Sequence, residues 1–143
     1  MGAPQVDLFA ATSGTDSDFV VKLIDAYPDE ETYHLDMAGV QMGIGFEIFR
    51  GRYVGGFDKP HALTAGKVEN YKFGLPNVDH VFLKGHRIMV QVQSTLFPLY
   101  DRTPQTFIPN IFNAKPSDYR KATQSIYRNA TAASAVWLPI VEK

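Results

Sequence analysis

Six serines and four histidines are the side chains of this 143-residue sequence that could share a nucleophile and its base. A serine that attacks an ester or amide commonly stands in G-x-S-x-G, a strained strand-to-helix turn that lifts the hydroxyl above a sheet. None of the six is in that pattern. His34, His61, His80 and His86 lie at neither the i, i+2 spacing of a strand nor the i, i+4 spacing of a helix, so no two rings are brought to one metal and all four read as structural or surface groups. Asp16 and Asp18 bracket Ser17 and could offer oxygen to calcium, but that hard cation wants about six or more oxygens. They read instead as an Asx-type turn that opens the next strand. Asp29-Glu30-Glu31 reads as a solvated loop tip, and Asn129-Ala130-Thr131 spells a glycosylation sequon that matters only in a eukaryotic secretory setting. The chain has no cysteine, hence no thiolate nucleophile or thiolate metal site, and the redox compartment is left open. No catalytic residue, metal site or cofactor is expected.

The elements that must position these groups are strands. Gln5–Thr12 alternates, with Val6, Leu8 and Ala10 on one side, until the Ser13-Gly14-Thr15-Asp16 turn. Residues 18–27 are β-branched and aromatic with apolar groups on both faces, which suits an inner strand. Residues 40–50 alternate again, so that Val40, Met42, Ile44, Phe46 and Ile48 are expected to form one core-facing row. After a long glycine-containing connection, strands are expected at 68–75 and, through a short piece at 79–83 and a tight Lys84-Gly85 turn, at 86–95. Residues 122–128 and 134–141 read as a closing hairpin, with Pro139 placing the last strand at an edge or near its end. One helical turn is conceivable at 117–121. About eight short strands without an amphipathic helix predict an all-β sandwich, and the long crossing connections favour a jelly roll.

Composition agrees. Hydrophobic residues make up 45% and charged residues 20%, the balance of a chain that folds. A formal net charge of -1 with scattered Lys and Arg offers no field for nucleic acid. Apolar runs fall short of the ~20 residues of a membrane helix, so the chain reads as soluble and without a membrane partner. It enters its first strand almost without a leader. Residues 1–4 therefore read as a linker remnant and residues 5–143 as one domain, a fragment of a longer polypeptide.

One segment departs from this pattern. Leu96–Lys115, LFPLYDRTPQTFIPNIFNAK, has no periodicity, and from Ile88 to Ala114 its only charges are Asp101 and Arg102. Unstructured loops beyond roughly 15 residues need a reason inside a compact domain. Phe97, Leu99, Tyr100, Phe107, Ile108, Ile111 and Phe112 would form too large a bare patch. The segment therefore either folds back on its own sandwich, with Asp101 and Arg102 as a local ion pair, or docks on a neighbouring domain.

Long stretches, LFAATSGTDSDFVVKLIDAYPDE, FEIFRGRY, KGHRIMVQVQSTLFPLYDRTPQTF and IPNIF, resemble the C-terminal domain of the X-Pro dipeptidyl-peptidase and cocaine esterase superfamily. Within it the sequence is most similar to α-amino-acid ester hydrolases and glutaryl-7-aminocephalosporanic-acid acylases, over nearly the whole chain from Val6 to Val141. The resemblance implies a galactose-binding-like jelly roll attached to an α/β-hydrolase domain that holds the Ser, His and Asp of the triad. It implies a non-catalytic accessory role here and a serine hydrolase as parent. By motif it places Phe97, Tyr100, Asp101, Arg102 and Gln105 near the interdomain surface or substrate cleft. Homo-oligomerisation and compartment stay open. An independent carbohydrate-binding module is the alternative, weakened because the sole tryptophan, Trp137, lies within the last strand. A stand-alone interaction protein would rest on fold analogy alone.

Overall fold

The computed structural model describes residues 2–31 and 34–141. The strands are β1 (Gln5–Thr12), β2 (Asp18–Ala26), β3 (Gln41–Arg50), β4 (Glu69–Gly74), β5 (Arg87–Gln93), β6 (Gln124–Ile126), β7 (Arg128–Asn129), β8 (Ala132–Ala133) and β9 (Ala135–Trp137). In one sheet β4 lies along one edge of β1, and β6 and β9 share the other. The second sheet has the order β3-β2-β5, with β2 inside as its two apolar faces require. Every pairing in both sheets is antiparallel.

The sheets face each other across one core. Val6, Leu8 and Ala10 of β1, with Tyr71 of β4, meet Phe19, Val21 and Leu23 of β2. The Phe19 and Tyr71 rings are 4.8 Å apart and tilted, and burying each such large side chain contributes about 1.5–3 kcal/mol. This is an all-β sandwich. Among the described residues the helical pieces are four short 3₁₀ turns. One of them, Pro116–Asp118, sits where a helical turn was conceivable, with the Asp118 carboxylate accepting the Lys115 N–H at 2.8 Å.

Two local expectations are corrected. The apolar row of β3 is not one core row: the register shifts between Leu23 and Ile24, so Ile44 and Phe49 pack on the core while Phe46 is left partly bare. A bulge moves side chains to the other face, and a period of two cannot foresee it. Residues 79–83 form no strand; the neighbouring Val78 instead exchanges two backbone hydrogen bonds with Gly2, at 3.0 and 2.9 Å. Of the residues read as a remnant, Met1 lies outside the described part, Gly2 makes this bridge and buried Pro4 accepts the Leu75 N–H at 2.9 Å.

The closing hairpin is smaller than expected. Only β7 and β8 pair with each other, while β6 and β9 both join β1, at Ala10–Thr12 and Gln5–Asp7. Between them Phe9 gives its N–H to Ser134 Oγ and its carbonyl accepts from Tyr127, each at 2.9 Å. These contacts replace ladder bonds where the hairpin leaves the sheet. Asn129 Oδ1 accepts from Thr131 N, Thr131 Oγ1 and Ala132 N, so the sequon's amide is engaged in the turn.

Candidate functional site

The long segment after β5 has a fixed middle and bare flanks. Thr103 and Pro104 are buried. Gln105, at φ 65°, accepts the Thr15 N–H on its carbonyl at 3.1 Å, and its side-chain oxygen accepts from Gln124 Nε2 at 2.6 Å. The Phe107 N–H returns to Thr15 Oγ1 at 2.9 Å, and the Arg52 guanidinium lies 4.9 Å over the Phe107 ring. The middle is thereby sewn to the turn between β1 and β2. Gly14 permits the approach, since a Cβ there would stand 2.3 Å from the Gln105 carbonyl oxygen.

Phe97, Leu99 and Phe112 are 63%, 60% and 75% exposed. The segment therefore folds back on the sandwich at its middle and leaves these flanking rings and side chains exposed. Tyr100 donates its hydroxyl to Glu47 Oε1 at 3.3 Å, and burial together with that carboxylate pushes its pKa above the ordinary value. Arg102 stacks on Phe97 and Tyr119, 5.5 and 5.6 Å from the ring centroids. Among the described residues no ion pair joins it to Asp101, which is exposed; the rings take the guanidinium instead. Leu96–Leu99 line a hollow of about 400 Å³ with Ile24, Gly43 and Phe46. Of the five residues expected at a surface, Phe97 lines this hollow, Arg102 stacks on it, Tyr100 reaches Glu47, Asp101 is exposed and Gln105 is held against Thr15 and Gln124.

The two acids of the first turn are buried and matched by arginines. Asp16 Oδ2 accepts Arg52 Nε at 3.0 Å and also Arg52 Nη2, while Asp18 Oδ2 accepts Arg50 Nη1 at 2.9 Å. Burial outweighs Arg50, which is itself partly in water, and pushes the Asp18 pKa up to about 7, with Asp16 adding to the rise. One oxygen of each acid is thereby committed to a guanidinium, and Asp16 Oδ1 accepts the Ser17 N–H at 3.0 Å.

Sequence spacing missed one cluster. His80 Nε2 stands 2.8 Å from Asp25 Oδ2 and His86 Nδ1 2.9 Å from Asp25 Oδ1. His86 Nε2 faces Glu31 Oε2 at 3.7 Å and its ring lies 4.3 Å from that of Tyr27. Glu31 is therefore a buried partner and not part of a solvated tip. Among the described residues no hydrogen bond joins a serine hydroxyl to an imidazole, and no group of three or more acidic or imidazole ligands could hold a metal. The arrangement ties loops to β2 and activates no nucleophile.

Comparison with known proteins agrees with a domain that lacks catalytic machinery. A cocaine esterase from Rhodococcus sp. (strain MB1 Bresler) is 32% identical over 142 residues, 99% of this chain and 23% of that protein. A solved α-amino acid ester hydrolase is 54% identical with a TM-score of 0.92, over 96% of this chain and 22% of its own. An aminopeptidase from the marine sediment archaeon Thaumarchaeota archaeon is 50% identical with a TM-score of 0.94, over 99% and 23%. The chain spans less than a quarter of the length of each of these relatives. Residues 1–136 match the family described as the X-Pro dipeptidyl-peptidase C-terminal non-catalytic domain, and to that family the chain belongs.

Proposed function

We propose that residues 5–143 are one accessory domain of a larger serine hydrolase of the α-amino acid ester, β-lactam acylase or X-Pro dipeptidyl-peptidase type. In this reading the domain packs on an α/β-hydrolase domain and lends one wall to its substrate cleft. The parent chemistry is acyl transfer: a serine attacks the carbonyl, a histidine moves the proton, and backbone amides hold the oxyanion. All of those groups belong to the partner domain.

The observation that supports the reading is that Phe97, Leu99 and Phe112 are bare in this chain, on a segment whose centre, at Gln105 and Phe107, is held by Thr15 and Gln124. A mobile loop would cost entropy on docking, and a pre-formed one loses little. Phe97, Tyr100, Asp101 and Arg102 are the side chains assigned to the wall.

The test is hydrolysis of p-nitrophenyl α-amino acid esters and X-Pro p-nitroanilides by the 143-residue chain and by the full-length polypeptide. Turnover is expected only from the latter. Saturable turnover by the short chain, abolished by one serine substitution, would overturn the reading.

A further inference from the structure

The hollow lined by Phe97 and Leu99 also contains a charge that has no counterion in this chain. Val21 and Leu23 of the inner strand β2 point into the core, so Lys22 and Ile24 point the other way, onto the outer face of the β3-β2-β5 sheet. Lys22 is flanked across the ladder by Phe46 and Gln91, and all three line the hollow. Three cations are carried by β2, β3 and the short turn Gly51–Tyr53 that follows. Arg50 is matched by Asp18 and Arg52 by Asp16, whereas Lys22, although only partly exposed, makes no ion pair or hydrogen bond among the described residues.

A second cation stands at the same ring. The Arg102 guanidinium is stacked on Phe97 and Tyr119, and its N–H groups meet no carboxylate among the described residues. An arginine held between rings presents its planar fork already ordered. Phe97 and Leu99 are the bare side chains that docking would cover, and a surface laid over them also takes Lys22 out of water. A desolvated ammonium without a counterion is costly, so a partner that fits this hollow has to bring an acid to it.

We propose that this hollow receives an aspartate or glutamate side chain of the parent's hydrolase domain, its carboxylate on the Lys22 ammonium and its apolar neighbours against Phe97 and Leu99. A second carboxylate of the same surface pairs with Arg102, whose fork can hold it through two parallel N–H groups. The docking face of the partner is thus acidic as well as apolar. This inference rests on the proposed function, since it names what that docking partner presents.

The experiment is zero-length carbodiimide crosslinking, which joins an amine to a carboxylate in direct contact, read by peptide mass spectrometry on the unaltered full-length protein and on the 143-residue chain. In the full-length protein Lys22 is expected to be linked to an aspartate or glutamate outside these 143 residues, and to react with an acetylating reagent at least ~10-fold more slowly than in the short chain. The absence of that link, or equal acetylation of Lys22 in the two chains, would overturn the proposal. So would a link from Lys22 to an acid of this chain, a link between isotopically distinct copies, or protection of Lys22 that appears only when an ester substrate is added. Lys22→Met keeps the stem and removes the charge. It should leave the melting of the short chain unchanged and lower that of the full-length protein by several degrees, and replacing the linked acid by its amide in the same variant should restore part of the loss; no restoration would count against the pair. Hydrolysis of esters and X-Pro anilides by the full-length protein is measured in parallel. Hydrolysis without a Lys22 link keeps the hydrolase and removes the acid from the hollow, whereas a link without hydrolysis keeps the contact and removes the hydrolase, so the two failures are separable.

Discussion

Arg52 serves two neighbours, holding the Asp16 carboxylate through two of its nitrogens and lying over Phe107. Removing its charge leaves Asp16 buried without a counterion. Arg52→Leu is therefore expected to destabilise the domain by about 3–5 kcal/mol in urea unfolding. Asp18 carries a different signature. Its folded pKa of about 7 lies above the ordinary 3.8, so the folded state holds a proton that the unfolded state has released. The contribution is present at low pH and lost as pH rises from about 4 through 7. Asp18→Asn should flatten that fall, by about 1.4 kcal/mol per pH unit at most, seen as the difference between the two stability profiles. Neither arginine could be matched to its acid from the sequence, because 36 and 32 residues separate the partners. The same holds for His80 and His86, which reach Asp25 from either side of the turn at Lys84-Gly85. Spacing rules see neighbours within one element and not side chains delivered by two.

At the scale of elements, β1 and β2 were legible because their buried residues follow an unbroken pattern, and nothing in their pairing with β4 and β5 disturbs it. The edge between β2 and β3 was not, since the extra residue at Ile44 breaks the row of alternate residues there, and Phe49, outside the expected row, is the ring against Tyr71. The terminal hairpin misled for a related reason: β6 and β9 find a better partner in β1 than in each other, with Ser134 closing the gap at Phe9. The anchored loop makes a sharp prediction. Gly14→Ala forces a methyl against the Gln105 carbonyl, and overpacking of this kind costs about 1–3 kcal/mol. A lowered denaturation midpoint together with faster exchange of the Thr15 amide would register it, whereas an unchanged Thr15 amide would contradict the account of how the loop is held.

For the whole molecule, the sandwich class and the absence of a catalytic centre followed from alternation and from missing motifs. Which parts of the apolar segment are bare did not, because that depends on how Thr15 and Gln124 seize its middle. The double substitution Phe97→Ser and Leu99→Ser removes mostly exposed apolar surface. It should leave the melting of the 143-residue chain within about 0.5 kcal/mol, yet lower the melting temperature of the full-length protein and raise its KM for ester substrates. A matching loss in the short chain would mean that these rings support the sandwich itself. The acids at positions 16 and 18 and the arginines at 50 and 52 also bear on how such domains can diverge. Each acid is buried against one arginine, Arg52 buried with Asp16 and Arg50 partly in water beside Asp18, so a lone exchange leaves a buried group without its partner, whereas replacing both members of a pair by well-packed apolar groups can be nearly neutral. Lineages that lose one member should therefore have lost the other, and these four sites should drift as two couples.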